Sequence, residues 1–333
     1  DPLPRERPMN LQQLKKVVAF YGRFTLSFTE VGYRYRRLSF GDDKRDFHGQ
    51  RWLVTGGTGG LGRQIALDAA RAGAEVVVAA RSADKLAALQ AEARASGVTS
   101  IVTELCDFSL QSDTARFLGA LAKSGRRFDV LVNNVGVLND DHSLTSEGRE
   151  PSFVINLLSH YLLTEGLIRR DLFNPGKPLV INMTSGGGYN VPLSTAMLNM
   201  VDPRTFNGTA AYAFHKRAQI VLNQVWRDKY GSRGFTFYVM HPGWADTDGV
   251  KRSLPRFRKI LRPILRDAVS GTDTALWLAA TRPAQEEKEL VWFDRAPRTA
   301  HAYERTRVSR DTPASLVAYL EQELGRFPEA LPL

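Results

Sequence analysis

Short apolar runs alternate along this chain with longer stretches in which apolar residues recur every three or four positions. The runs Arg51–Val54, Glu75–Ala80, 100–105, 129–132, 178–183, 235–240 and 289–293 predict strands. Between them, Gln64–Ala72, 83–95, 111–124, 146–171, 209–230, 271–281 and 314–325 carry helical spacing. A helix between successive strands serves as a crossover, so the strands pair in parallel and the sheet is covered on both faces. The pattern predicts a doubly wound α/β domain over 48–333. Residues 1–47 form an arm ahead of it, in which Leu11, Leu14, Val18, Tyr21, Phe24, Phe28, Val31 and Tyr35 make one apolar stripe opposite basic residues.

Charge adds a second layer. The net charge is +10 over 333 residues. Residues 11–37 carry +5 and residues 251–266 carry +7, which leaves −2 for the rest. The basic character therefore belongs to two local patches, which suits contact with an anionic surface. No nucleic-acid motif accompanies them, so nucleic acid is not an expected partner. The only cysteine, Cys106, lies beside an apolar run and reads as a buried strand residue. A fold without an internal disulfide does not need an oxidising compartment. No run of eighteen apolar residues occurs, and no apolar leader core follows Asp1-Pro2-Leu3-Pro4. These features together predict a cytoplasmic protein, peripheral on a membrane.

The turn after the first strand reads Thr55-Gly56-Gly57-Thr58-Gly59-Gly60-Leu61-Gly62 and opens a helix. Glycines there let the backbone approach a pyrophosphate, and the helix start offers free N–H groups to it. A strand, a Gly-rich turn, a helix and a second strand within about 30 residues make one βαβ unit of the Rossmann type. The second strand ends Ala79-Ala80-Arg81-Ser82, without the carboxylate that would bind a ribose 2′-hydroxyl. Arg81 offers instead a planar fork to a 2′-phosphate, with Arg63 as its assistant, so the cofactor expected is NADP(H).

Candidate chemistry lies further along, at Tyr212-Ala213-Phe214-His215-Lys216. Reducing a carbonyl builds negative charge on oxygen and needs a placed proton donor. A tyrosine serves if its pKa falls from about 10 toward neutrality, and a lysine four residues on, sharing its helix face, can lower it. The histidines His215, His241 and His301 lack metal-ligand spacing, and no metal site is expected.

The Thr-Gly-x-x-x-Gly-x-Gly turn and Tyr-x-x-x-Lys, in this order, resemble the short-chain dehydrogenase/reductase family. Tyr-Ala-x-x-Lys-Arg, His-Pro-Gly-Trp-Ala-Asp-Thr and Asp-Thr-Ala-Leu-Trp-Leu-Ala look like the member-twelve type of its dehydrogenase/reductase branch, related to retinol-dehydrogenase-like enzymes. The resemblance spans 51–247 and implies a catalytic set of Asn156, Ser185, Tyr212 and Lys216, with Thr184 the alternative to Ser185. It implies cofactor contacts at Gly56, Gly60, Leu61, Gly62, Asp107, Asn133, Asn134, Gly136, Tyr212, Lys216, Pro242, Gly243 and Thr247, beside Arg63 and Arg81. Val135 stands where the family's Asn-Asn-Ala-Gly motif has alanine. Ser185 and Tyr212 are 27 residues apart, roughly twice the family's common spacing, so Gly186–Thr209 is expected to loop over the site. Tyr189 could line the pocket but has Leu193, not lysine, four residues on.

The expected activity is hydride transfer between nicotinamide and a small lipophilic carbonyl or alcohol. The competing reading is a catalytically idle NADP(H)-binding protein that docks on membranes. A second copy of the chain is a further candidate partner. After the Pro-Gly-Trp motif, Leu254, Phe257, Ile260, Leu261, Ile264 and Leu265 lie among the basic residues of 251–266, with Pro255 and Pro263 breaking the run. In the family this segment is the substrate lid, and with the arm it carries the expectation of membrane contact.

Overall fold

The computed structural model describes residues 24, 27–246, 258–259, 261–285 and 290–325. The lid residues 251–257 and 260 lie outside these, as does the arm before Phe24. The elements follow the predicted alternation: α1 (Glu30–Arg37), β1 (Arg51–Thr55), α2 (Gly60–Arg71), β2 (Glu75–Ala80), α3 (Ala83–Ala95), β3 (Ile101–Leu105), α4 (Gln111–Ser124) and β4 (Val130–Asn133). Helix α5 is a composite of Pro151–Phe153, a π-helical turn Val154–Leu158, and Ser159–Arg169. Then come β5 (Leu179–Met183), α6 (Gly208–Tyr230), β6 (Thr236–Met240), α7 (Ala268–Thr281), β7 (Leu290–Phe293), β8 (Ala296–Thr299) and α8 (Pro313–Gly325).

These strands form one sheet in the order β3-β2-β1-β4-β5-β6-β7-β8. The first seven run parallel, and β8 closes the edge antiparallel to β7. Side chains alternate between two cores. Leu53, Val77, Leu131 and Val180 face α4, α5, α6 and α8. Trp52, Val54, Val76, Val78, Val132 and Ile181 face α2, α3 and α7. Burial on both faces is why the strands read as unbroken apolar runs. The strand order reverses between β1 and β4, which opens a crevice at their carboxyl ends, the place where such folds bind ligands.

Three expectations need correction. The helix foreseen from residue 146 starts at Pro151, because Glu150 caps it by accepting from Ser152 N (2.9 Å) and Phe153 N (2.8 Å). Strand β8 was not foreseen, since its turn, Asp294-Arg295, contains none of the usual glycine or asparagine. Among the described residues, the apolar stripe of the arm does not stay on one face. The chain bends at Thr29, whose extended backbone starts a new helix at Glu30. Phe24 and Phe28 stack at 4.7 Å and point inward, whereas Val31 and Tyr35 face outward, 54% and 77% exposed.

Candidate active site

Thr55 organises the glycine turn. Its hydroxyl accepts from Asn134 N (3.0 Å) and Val135 N (3.1 Å), and Asn134 Nδ2 donates to Thr55 O (2.8 Å). The turn leaving β1 is thereby tied to the end of β4 across the crevice. Gly56 has φ +66°, a conformation L side chains avoid. A Cβ on Gly62 would meet Asn134 Nδ2 and lie 2.6 Å from Gly56 O, so only glycine lets α2 start this close to the strand. The result is a cradle of bare backbone at a helix N-terminus, which fits a pyrophosphate. Gly60 (φ +52°) and Leu61 complete it, with Leu61 against Gly271 of α7.

The two arginines proposed for a 2′-phosphate differ in their surroundings. Arg63 is held by Glu92, donating to both of its carboxylate oxygens, and its hydrogen bond keeps that carboxyl below its usual range. Arg81, just past β2, is exposed and has no ion-pair partner among the described residues. Asp107 is half-buried past β3 and accepts from Ser109 N (2.9 Å) and Oγ (2.8 Å). Asn133 is turned into the core, where Nδ2 donates to Thr164 Oγ1 (3.0 Å) and Asn182 Oδ1 (2.9 Å). Only its backbone remains for a cofactor.

The chemical residues converge at the ends of β4 and β5 and along α6. Asn207 caps α6, accepting from Ala210 N at 2.8 Å. One turn on, Tyr212 and Lys216 share a face, and Lys216 Nζ lies 5.5 Å from the Tyr212 ring centroid. Lys216 is buried and donates to Met183 O (2.9 Å). Burial disfavours its charge and brings its pKa down to about 7. Burial pushes the Tyr212 phenol upward, opposed by a hydrogen bond from Ser185. Thr184 Oγ1 is committed to Lys216 O (3.0 Å), which leaves Ser185 as the hydroxyl beside Tyr212.

Asn156 sits in the π-helical turn of α5. Its side chain brackets Val137, accepting from N (2.7 Å) and donating to O (2.8 Å). A Cβ on Gly136 would stand 3.3 Å from Asn156 Oδ1 and 3.5 Å from Lys216 Nζ, which places these groups around one point. The widened turn frees Asn156 O to accept from Gln219 Nε2 (2.6 Å), which also reaches His160 Nδ1 (3.0 Å). His215 Nδ1 lies 3.4 Å from Asn156 Nδ2, and its Nε2 donates to Leu198 O (2.7 Å). Burial pushes His215 down to about 4 and His160 to about 3, so both stay neutral. Sequence reasoning missed these supports, although His160 is four residues after Asn156 and Gln219 three after Lys216.

His241-Pro242-Gly243 follows β6, with Gly243 at φ +77°. Thr247 lies outside the described residues. The long insertion after Ser185 starts against α6, where a Cβ on Gly187 would stand 3.8 Å from the Tyr212 ring, and further on Leu193, Leu198 and Met200 are buried. Val191 O is bonded by Arg217 Nε and Leu193 O by Ser309 Oγ. No group of His, Cys, Asp and Glu side chains suited to a metal ion occurs among the described residues.

A family model described as short chain dehydrogenase matches residues 50–256. The chain belongs to the short-chain dehydrogenase/reductase family. It is 33% identical to bovine (Bos taurus) dehydrogenase/reductase SDR family member 12, covering 94% of this chain and 99% of that protein. Human (Homo sapiens) retinol dehydrogenase 14 is 28% identical, covering 75% of this chain and 80% of that one. A short chain dehydrogenase from Burkholderia cenocepacia, solved in complex with NADP, shares the fold with TM-score 0.56 at 23% identity, over 70% of this chain and 91% of that one. As a short-chain dehydrogenase/reductase, the chain is an oxidoreductase that binds a nicotinamide cofactor.

Proposed function

We propose that this short-chain dehydrogenase/reductase is NADP(H)-dependent and interconverts a lipophilic carbonyl with its alcohol. The carrying observation is that Asn156 Oδ1 and Lys216 Nζ meet beside Gly136, while Tyr212 lies next to Lys216 on α6 and interacts with Ser185 at the end of β5. NADPH, when bound, supplies the hydride. Gly56, Gly60, Leu61 and Gly62 would take the pyrophosphate and Arg81 the 2′-phosphate. Asp107, Asn134, Gly136, the Asn133 backbone, Pro242, Gly243 and Thr247 would line the rest of the cofactor's path. Ser185 orients the substrate oxygen, and Tyr212 gives it the proton. Lys216 and Asn156 stand behind Tyr212 as the route by which that proton is replaced. Arg63, already engaged by Glu92, has a secondary part.

A lipophilic substrate is supported by the aromatic cluster next to the Ser185 turn, where Phe28 packs against Gly186 and meets Tyr189, Trp244 and Phe293. The name of the 28%-identical relative, a retinol dehydrogenase, agrees with it. We also propose attachment to an anionic membrane through the outer face of α1, where Val31, Tyr35 and Leu38 are exposed beside Arg34 and Arg37. Tyr212→Phe is the decisive variant. It should lower NADPH-dependent carbonyl reduction about 10²- to 10⁴-fold while NADPH still quenches tryptophan fluorescence with wild-type affinity. Undiminished turnover would remove Tyr212 from the reaction.

A further inference from the structure

Asp294 and Arg295 form the two-residue turn between β7 and β8, and both have positive φ, +50° and +57°. Such turns are the province of Asn and Gly; non-glycine residues persist there only when their surroundings over-determine them. Here both side chains are clamped. The Asp294 carboxylate, fully buried, receives Arg266 in a bidentate pair (2.6 and 2.9 Å) and Arg36 of α1 at 2.6 Å. Arg295 forks onto Asp273 of α7 (2.8 and 2.8 Å) and also reaches Asp43 at 3.2 Å.

Arg266 carries this clamp to the site. Its Nε donates to Phe28 O (3.0 Å) and Nη2 to Ser27 O (3.1 Å). Its backbone zips onto the cofactor-side loop, Arg266 N to Trp244 O (2.8 Å) and Asp246 N to Arg266 O (2.9 Å). Gly243 has no room for a Cβ because the Arg266 side chain fills that space. Phe28 seals the other side. Its backbone takes Trp244 N (2.8 Å), its ring meets His241 edge-on at 4.5 Å, and a Cβ on Gly186, next to Ser185, would sit 2.8 Å from it.

We propose that the Asp294-Arg295 turn and the segment Ser27–Arg37 act together as a positioning device, which sets the loop His241–Asp246 for the nicotinamide end and the Ser185 turn for the substrate. Arg36, Arg266, Asp294 and Phe28 are its positioning residues. The arm is thereby part of the binding machinery, distinct from whatever its outer face contacts. This inference rests on the proposed NADP(H) site.

The test uses the full chain. Arg36→Gln leaves the buried Arg266–Asp294 pair whole, so the protein keeps its fold, and Phe28→Ala removes the seal without touching a charge. Each should raise the Kd for NADPH and the KM for 4-nitrobenzaldehyde about tenfold, with kcat falling less than either. Arg36→Lys and Phe28→Leu should recover part of the loss, and Arg94→Gln, on the exposed face near the end of α3, should change neither constant. A packing role alone would lower the melting temperature and leave Kd and KM of the folded protein untouched. That result in both Arg36→Gln and Phe28→Ala overturns the proposal. Wild-type protein that binds neither NADPH nor NADH would overturn the cofactor reading itself, and this inference with it.

Discussion

At Lys216 the spacing can be read in sequence while the surroundings cannot. Its spacing from Tyr212 was legible, but burial was not, and burial lowers its pKa to about 7. The sign for stability follows. An unfolded lysine titrates at about 10.4. Between pH 7 and that value the unfolded chain holds a proton that the folded chain has released, so stability rises with pH through this window. Below about 7 the cofactor-free protein carries the full cost of a buried ammonium. Lys216→Met should therefore stabilise it against urea at pH 7 by about 2–4 kcal/mol, and by much less at pH 10. An equal gain at both pH values would show that Lys216 is not the group responsible. The two arginines teach a related lesson: both could be picked from sequence, but only the structure separates Arg63, bound by Glu92, from exposed Arg81. Replacing Ala80 by Asp and Arg81 by Ile should shift preference from NADPH to NADH, because a carboxylate accepts from a 2′-hydroxyl and repels a 2′-phosphate. Wild-type protein with equal Kd for the two cofactors would refute the reading of this strand end.

Elements with unbroken periodicity matched the structure to within a few residues, from β1 through α8. Those that differ were decided by tertiary contacts with no local signature. The π-helical turn at Val154–Leu158 reads as ordinary helix in sequence, and its purpose is visible only in the Asn156–Gln219 contact. The bend at Thr29 redirects a stripe that looks continuous, and β8 follows a turn held by distant ion pairs rather than by its own residues. Helix α8 was foreseen, but not its place. Leu316, Leu320 and Leu324 join the core beneath α5 and α6, and Glu323 pairs with buried Arg149 at 2.9 Å. The helix covers surface that α5 and α6 would otherwise expose. Leu320→Ala should accordingly cost about 2–5 kcal/mol in chemical denaturation while NADPH affinity stays near wild type. A loss below about 0.5 kcal/mol would mean that α8 is not an integral layer of this fold.

At the scale of the whole molecule, the net charge of +10 proves unevenly employed. Arg34 pairs with Glu30, Arg36 and Arg266 with Asp294, and Arg258 with Asp246 at 2.7 Å, so part of both basic patches serves the fold. No helix among the described residues is long and apolar enough to cross a membrane. Among the described residues, the outer face of α1 is the part open to the proposed surface contact: Val31, Tyr35 and Leu38 are 54%, 77% and 86% exposed there. Each basic side chain near an anionic surface contributes about 1 kcal/mol, and exposed apolar side chains add to that on insertion. Full-length protein should float with anionic vesicles at low salt and detach at high salt, as the screening of charges requires. Deleting the arm is an unsuitable control, because it also removes Phe28 and Arg36, the positioning residues proposed above. Tyr35→Asp with Leu38→Asp keeps those residues and reverses the outer face alone. That double variant should lose flotation and keep wild-type affinity for NADPH; if it floats as well as wild type, or if wild type stays soluble at low salt, α1 is not a membrane-binding face.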